Sequence, residues 1–104
     1  MKVRQRYAKG RRNEYKSMKL LEAAGWMCFR TAGSHSDWDI IALKRGCQPM
    51  LVQVKTNRKP TQMDPGPEYS EYWLLRFHVW YDRMIGPDLF DARTGEAPPA
   101  KEGW

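Results

Sequence analysis

The chain has 104 residues, 41% of them apolar, and a net charge of +6, which predicts one domain with a modest core. It has no run of about 18 apolar residues, which excludes a spanning helix, and its charged first residues lack the apolar centre of a secretory signal. Two cysteines (Cys28, Cys47) and two histidines (His35, His78) form neither a disulfide framework nor a zinc pattern, so a reducing, cytoplasmic setting is expected.

The positive charge is uneven. Residues 1–19 hold eight Lys or Arg against one acid, Glu14, whereas the rest of the chain holds ten basic and eleven acidic groups. Such a block suits a polyanion, most simply nucleic acid, with binding that weakens as salt rises. Residues 1–10, MKVRQRYAKG, read as a flexible basic arm carrying Lys2, Arg4, Arg6 and Lys9. From residue 11 to 24 the pattern is helical, with Tyr15, Met18, Leu21 and Ala24 at steps of three and four. Arg11 adds to the basic end, and Arg12, Lys16 and Lys19 share another face as a basic stripe. Gly25 suits the left-handed position that ends a helix.

Three strands are predicted next: residues 26–32 (WMCFRTA), 38–45 (WDIIALKR) and 50–56 (MLVQVKT). The polar loop GSHS separates the first two. The turn around GCQP makes an antiparallel hairpin of the second and third. Both faces of the hairpin strands are apolar, which implies central positions covered by helices. A Pro-rich loop follows at 57–67, then a predicted helix from Pro67 and Glu68 to Leu75 or Arg76. Residues 77–82 (FHVWYD) alternate as a strand, 88–92 (DLFDA) form another short one, and 93–104 read as an irregular tail. The predicted folded unit, residues 11–92, is therefore a single α/β domain of order α-β-β-β-α-β, with a mixed sheet flanked by helices. Tyr69, Tyr72, Trp73, Trp80 and Tyr81 are expected in the core or in a subunit interface.

Polar groups interrupt the apolar hairpin. Gln53 and Lys55 share one strand face, and the antiparallel turn brings Asp39, near the start of its strand, beside Lys55, near the end of the next. Asp37 shares a face with Asp39 and competes with it; Asp39 is preferred because it abuts Ile40 and Ile41. Glu14 lies one helical step before Met18 and two before Leu21, so its stem points at the sheet, where a buried acid needs a metal ion or Lys55 as partner. Hard cations such as Mg²⁺ take carboxylate and carbonyl oxygens, which Asp39, the Gln53 side chain and the Val54 backbone carbonyl offer. Lys55 would orient a water or stabilise phosphate charge, which together describes phosphodiester cleavage. Ser34 and Ser36 suit hydrogen bonds to phosphate, and His35 is a candidate for proton transfer.

These pieces in this order, KGRRNE at 9–14, the GSHS loop, DIIAL at 39–43 and VQVK at 52–55, resemble the archaeal-type Holliday junction resolvases. That family lies within the PD-(D/E)xK, restriction-endonuclease-like nuclease superfamily. The resemblance spans roughly residues 9 to 58. It implies a restriction-endonuclease-like core and a homodimer that makes paired nicks in branched, four-way DNA during recombination and repair, using Mg²⁺ or Mn²⁺. It implies that Asp39 binds metal, that Lys55 assists the water, that Glu14 serves metal binding or catalysis, and that the Ser34/Ser36 loop meets DNA. Trp38 stands where the family motif has Pro, and Gln53 where it usually has an acid, which removes a negative charge and lowers metal affinity. A nuclease for other DNA structures, and a non-catalytic DNA-binding module with a degenerate site, are the alternative readings.

Overall fold

The computed structural model describes the backbone of residues 2–9 and the whole of residues 10–31, 38–61, 71–82 and 85–98. The architecture is α/β: one long helix, α1 (Lys2–Ala23), lies against a five-stranded mixed sheet. The strands are β1 (Met27–Arg30), β2 (Ile40–Leu43), β3 (Met50–Thr56), β4 (Leu74–Trp80) and β5 (Asp88–Asp91), in the spatial order of the chain. β1–β2, β2–β3 and β4–β5 are antiparallel, and β3–β4 is parallel. Among the described residues no helix is long and apolar enough to cross a membrane.

The predicted flexible arm differs from the structure, because α1 already begins at Lys2 and continues through Gly10. Arg, Gln, Ala and Lys are good helix formers, so the helix extends N-terminally without needing the apolar repeat that marks its second half. Its end follows the sequence. The Gly25 N–H donates to the Glu22 carbonyl and the Trp26 N–H to the Leu21 carbonyl, both at 3.0 Å, with Gly25 at φ +99°. This is a Schellman cap. Lys44 closes it by donating to the Ala24 carbonyl at 2.6 Å while its ammonium lies 5.4 Å from the Trp26 ring centroid.

The sheet is buried on both faces, as its apolar strands require. Under α1 lie Leu21, Trp26, Ile40, Ala42, Met50 and Val52, with Met18, Cys28 and Val54 packed against them. The opposite face gathers Trp38, Leu51, Leu75, Phe77, Val79 and Ala92. Fully burying one such side chain contributes about 1.5–3 kcal/mol. The predicted hairpin is present as β2–β3. Its turn carries a Cys47 N–H to Lys44 carbonyl bond of 3.0 Å and Gly46 at φ +81°.

The second predicted helix is not borne out over its described part. Residues 71–73 form a turn, and Leu74, Leu75 and Arg76 open β4; residues 62–70 lie outside the described residues. The reason is a neighbour the local pattern cannot show: all seven residues of β4 pair with β3, from Met50↔Leu74 to Thr56↔Trp80. The predicted strand at 77–82 thus begins earlier, and the short strand at 88–92 is β5. Trp80 is buried, Trp73 and Tyr81 are half-buried against the second cluster, Tyr72 is exposed, and Tyr69 lies outside the described residues. The start of the predicted irregular tail is docked, with Arg93 donating to the Glu71 and Trp73 carbonyls at 3.0 and 2.9 Å; residues 99–104 lie outside the described residues.

Candidate functional site

The candidate groups meet where β2 parts from β3, and Asp39 is their centre. The Asp39 N–H donates to the Val52 carbonyl at 2.8 Å, although Val52 has Ile40 as its ladder partner. Two residues therefore oppose one, the pattern of a β-bulge, which redirects a side chain. The core agrees: Trp38 and Ile41 both pack on the face away from α1. Strict alternation forbids that for residues three apart.

Beyond the bulge, the Asp39 carboxylate takes the place of a backbone carbonyl. Its Oδ2 accepts the Val54 N–H at 2.7 Å. In a strand the N–H and C=O of one residue point to the same neighbour, so the Val54 carbonyl faces the same gap. Asp39 thus sits near the plane of the sheet, reachable from both faces.

The other predicted groups divide between those faces. Gln53 and Lys55 pair with Phe77 and Val79 of the core cluster opposite α1, while Val54 packs beneath α1. Both side chains are half-buried. Glu14 approaches from α1 on the other face, and Asp39 is the point the two groups share. Lys55 and Arg30 favour the Asp39 carboxylate, and Asp39 in turn disfavours the charge on Glu14.

Arg30 is the residue sequence reasoning missed. Its Nε lies 3.3 Å from Glu14 Oε1, and its guanidinium stands 5.2 Å from the Tyr15 ring centroid. Position 30 shares the α1-facing side of β1 with Cys28, a signal available only once the strand is paired. Despite this ion pair the Glu14 carboxyl is raised above its usual range, because burial and then the Asp39 charge outweigh Arg30 and Arg11. Asp39 is raised as well: burial outweighs the Val54 N–H, Lys55 and Arg30. Two carboxylates held short of full neutralisation are a place where a cation would be favoured.

Glu14 is anchored by a polar seam along the same helix. Asn13 donates to Thr56 Oγ1 at 2.7 Å. One turn on, buried Ser17 Oγ lies 2.9 Å from His78 Nδ1 and accepts the Trp80 indole N–H at 2.8 Å. Burial, and then the Arg76 charge, push His78 down to about 3, so it is a neutral structural group.

The remaining predicted residues fall outside this cluster. Arg11, Arg12 and Lys16 are exposed on α1. Lys2, Arg4, Arg6 and Lys9 lie on its N-terminal turns. Ser34, His35, Ser36 and Asp37 lie outside the described residues.

The groups present suit a hard, water-rich cation in part. Among the described residues no three His, Cys, Asp or Glu side chains gather, so two carboxylates are what the site supplies. The chemistry of the donor set is nonetheless oxygen-only: Asp39, the Val54 carbonyl, the Gln53 amide and Glu14. Mg²⁺ keeps several waters and is bound through one or two carboxylates; the carboxylates here are Asp39 at the sheet and Glu14 on α1. No family model, no curated protein and no solved structure matches the chain.

Proposed function

We propose that this chain is a metal-dependent DNA endonuclease, most specifically a Holliday junction resolvase with a restriction-endonuclease-like core, acting as a homodimer on four-way DNA. The observation that carries the reading is Asp39 bonded to the Val54 N–H beside Lys55. An aspartate, a backbone carbonyl and an amine thereby meet at the open end of a hairpin. The antiparallel β1–β2–β3 meander followed by a parallel β4 supports the core, and the basic α1 supports a nucleic-acid substrate.

In this reading Asp39, the Val54 carbonyl and Gln53 hold Mg²⁺ or Mn²⁺, with Glu14 contributing from α1. The metal supplies an acidified water and screens phosphate charge. Lys55 orients the attacking water and stabilises the charge growing on the phosphate oxygens. Arg30 restrains Glu14, and Arg11 lies close enough to act on its charge. The neutral Gln53 favours a second reading, a DNA-binding module that has lost its metal.

The deciding experiment is cleavage of a labelled four-way junction and of linear duplex in Mg²⁺, Mn²⁺ and EDTA, with Lys55→Ala alongside. Paired, metal-dependent nicks on the junction, absent in Lys55→Ala, support the resolvase. Metal-dependent cutting of forked or linear DNA instead supports a nuclease for other structures. Salt-sensitive binding without cutting supports the non-catalytic module.

A further inference from the structure

The basic groups of α1 divide between its flanks. Arg12, Lys16 and Lys19 are exposed, and the Lys16 ammonium lies 5.4 Å from the Trp80 ring centroid, which puts this row on the β4 side. Position 9 continues the row by helical register, because a turn takes about 3.6 residues. Four Lys or Arg positions thus run from Lys9 to Lys19, about 15 Å of helix at 1.5 Å per residue.

The acids of the helix lie on the other flank. Glu14 pairs with Arg30 of β1, and Glu22 joins burial in raising the Cys28 thiol of β1 to about 11. The row therefore has no counter-charge within α1. It is also turned away from Glu14, Arg30 and Asp39. A row of cations near the cutting groups would hold the strand to be cut; a row on the opposite flank holds something else.

We infer that this row is a duplex-DNA surface separate from the candidate cutting site, gripping the phosphate backbone of a duplex segment that is not cut. About 15 Å of duplex axis presents roughly 9 phosphates, ample for four cations. An anionic membrane is the poorer partner. An interfacial helix must offer an apolar face, whereas the apolar face of α1 is spent on the sheet through Leu21, and among the described residues Tyr15 and Leu20 are its exposed large apolar groups. The inference rests on the nuclease reading only for which segment is cut, since the binding itself needs no metal.

The test is anisotropy of a fluorescein-labelled duplex across a salt series in EDTA, using the full chain. The triple variant Arg12→Gln, Lys16→Gln, Lys19→Gln should lower the slope of log K against log salt by about 2.7, at about 0.9 per lost phosphate contact. Single Arg12→Gln should lower it by about 0.9, and its effect should add to that of Arg11→Gln on the other flank. An unchanged slope in the triple variant overturns the inference. So does equal affinity for phosphatidylserine vesicles and DNA. Cleavage does not enter this readout, so a protein that never cuts but shows the slope change refutes the nuclease and upholds the surface.

Discussion

Asp39 has a structural and a chemical role, and two substitutions separate them. Asp39→Ala leaves the half-buried Val54 N–H without the acceptor now 2.7 Å away. A hydrogen bond to a charged group contributes about 1.5–3 kcal/mol. Relief of the burial that keeps this carboxyl raised offsets part, leaving a net loss of about 1–2 kcal/mol. That lowers the melting temperature by about 5–10 °C for a domain of this size. Asp39→Asn keeps an oxygen for the Val54 N–H and drops the charge, so its stability stays within about 0.5 kcal/mol of the parent. Thermal unfolding at pH 7 in EDTA, with junction cleavage in Mg²⁺, reads both roles. Neither variant should cut, and only Asp39→Ala should melt early. If Asp39→Asn melted as early as Asp39→Ala, the Val54 bond would not be what the carboxylate contributes to the fold. Cleavage by Asp39→Asn at the parental rate would refute the metal assignment.

The same carboxyls set an unusual pH dependence. Both Glu14 and Asp39 are raised, so the folded chain binds their protons more readily than the unfolded chain. Their contribution to stability therefore increases as pH falls from neutral through the folded values, and is complete below the ordinary values of 4.5 and 3.8. Asp39→Asn should flatten that rise, which a melting series from pH 7 to pH 4 would show. Gly10→Ala should stabilise by about 0.5–1 kcal/mol, because a Cβ there meets nothing within 4 Å; a lower melting temperature would contradict a continuous helix. Ser17→Ala deprives the buried Trp80 N–H and His78 Nδ1 of their shared partner and should cost about 2–4 kcal/mol in chemical denaturation. Gln53→Glu adds a carboxylate to the oxygen set and should tighten Mg²⁺ about tenfold. The shift of melting temperature with Mg²⁺ reads this, since a ligand at 100 times its dissociation constant stabilises by about 2.7 kcal/mol.

What the sequence made legible was what local pattern controls. The two-sided apolar runs of β2 and β3, the turn between them and the Gly25 cap each have a short-range cause, and each is where the residues predict it. β4 was not legible in full. Tyr72, Trp73, Leu74 and Leu75 continue a helical reading from Pro67, and only the parallel ladder with β3 makes Leu74–Arg76 extended. The N-terminal helix was hidden for the opposite reason. Among the described side chains its first buried one is Asn13, and residues 2–9 hold four charges and few apolar groups from which to read a period.

The site was legible in its members but not in its geometry. Alternation correctly put Gln53 and Lys55 together, and hairpin pairing brought Asp39 to the same end. The bulge at Asp39 could not be read, since it depends on which Val52 partner the ladder selects. Its consequence is that one carboxylate near the plane of the sheet faces Lys55 on one side and Glu14 on the other. Asn13 and Ser17, polar residues that the sequence pattern does not single out, are what hold Glu14 in that relation. They fasten the two turns around it to Thr56, His78 and Trp80, at the end of β3, which also carries Val54 and Lys55, and of its neighbour β4. Buried polar groups of this kind act as a register device: sliding α1 by one residue would strand three hydrogen bonds at once. The helix is therefore fixed on the sheet by the same strands whose ends form the candidate site, and Glu14 stays opposite Asp39 without a direct bond between them.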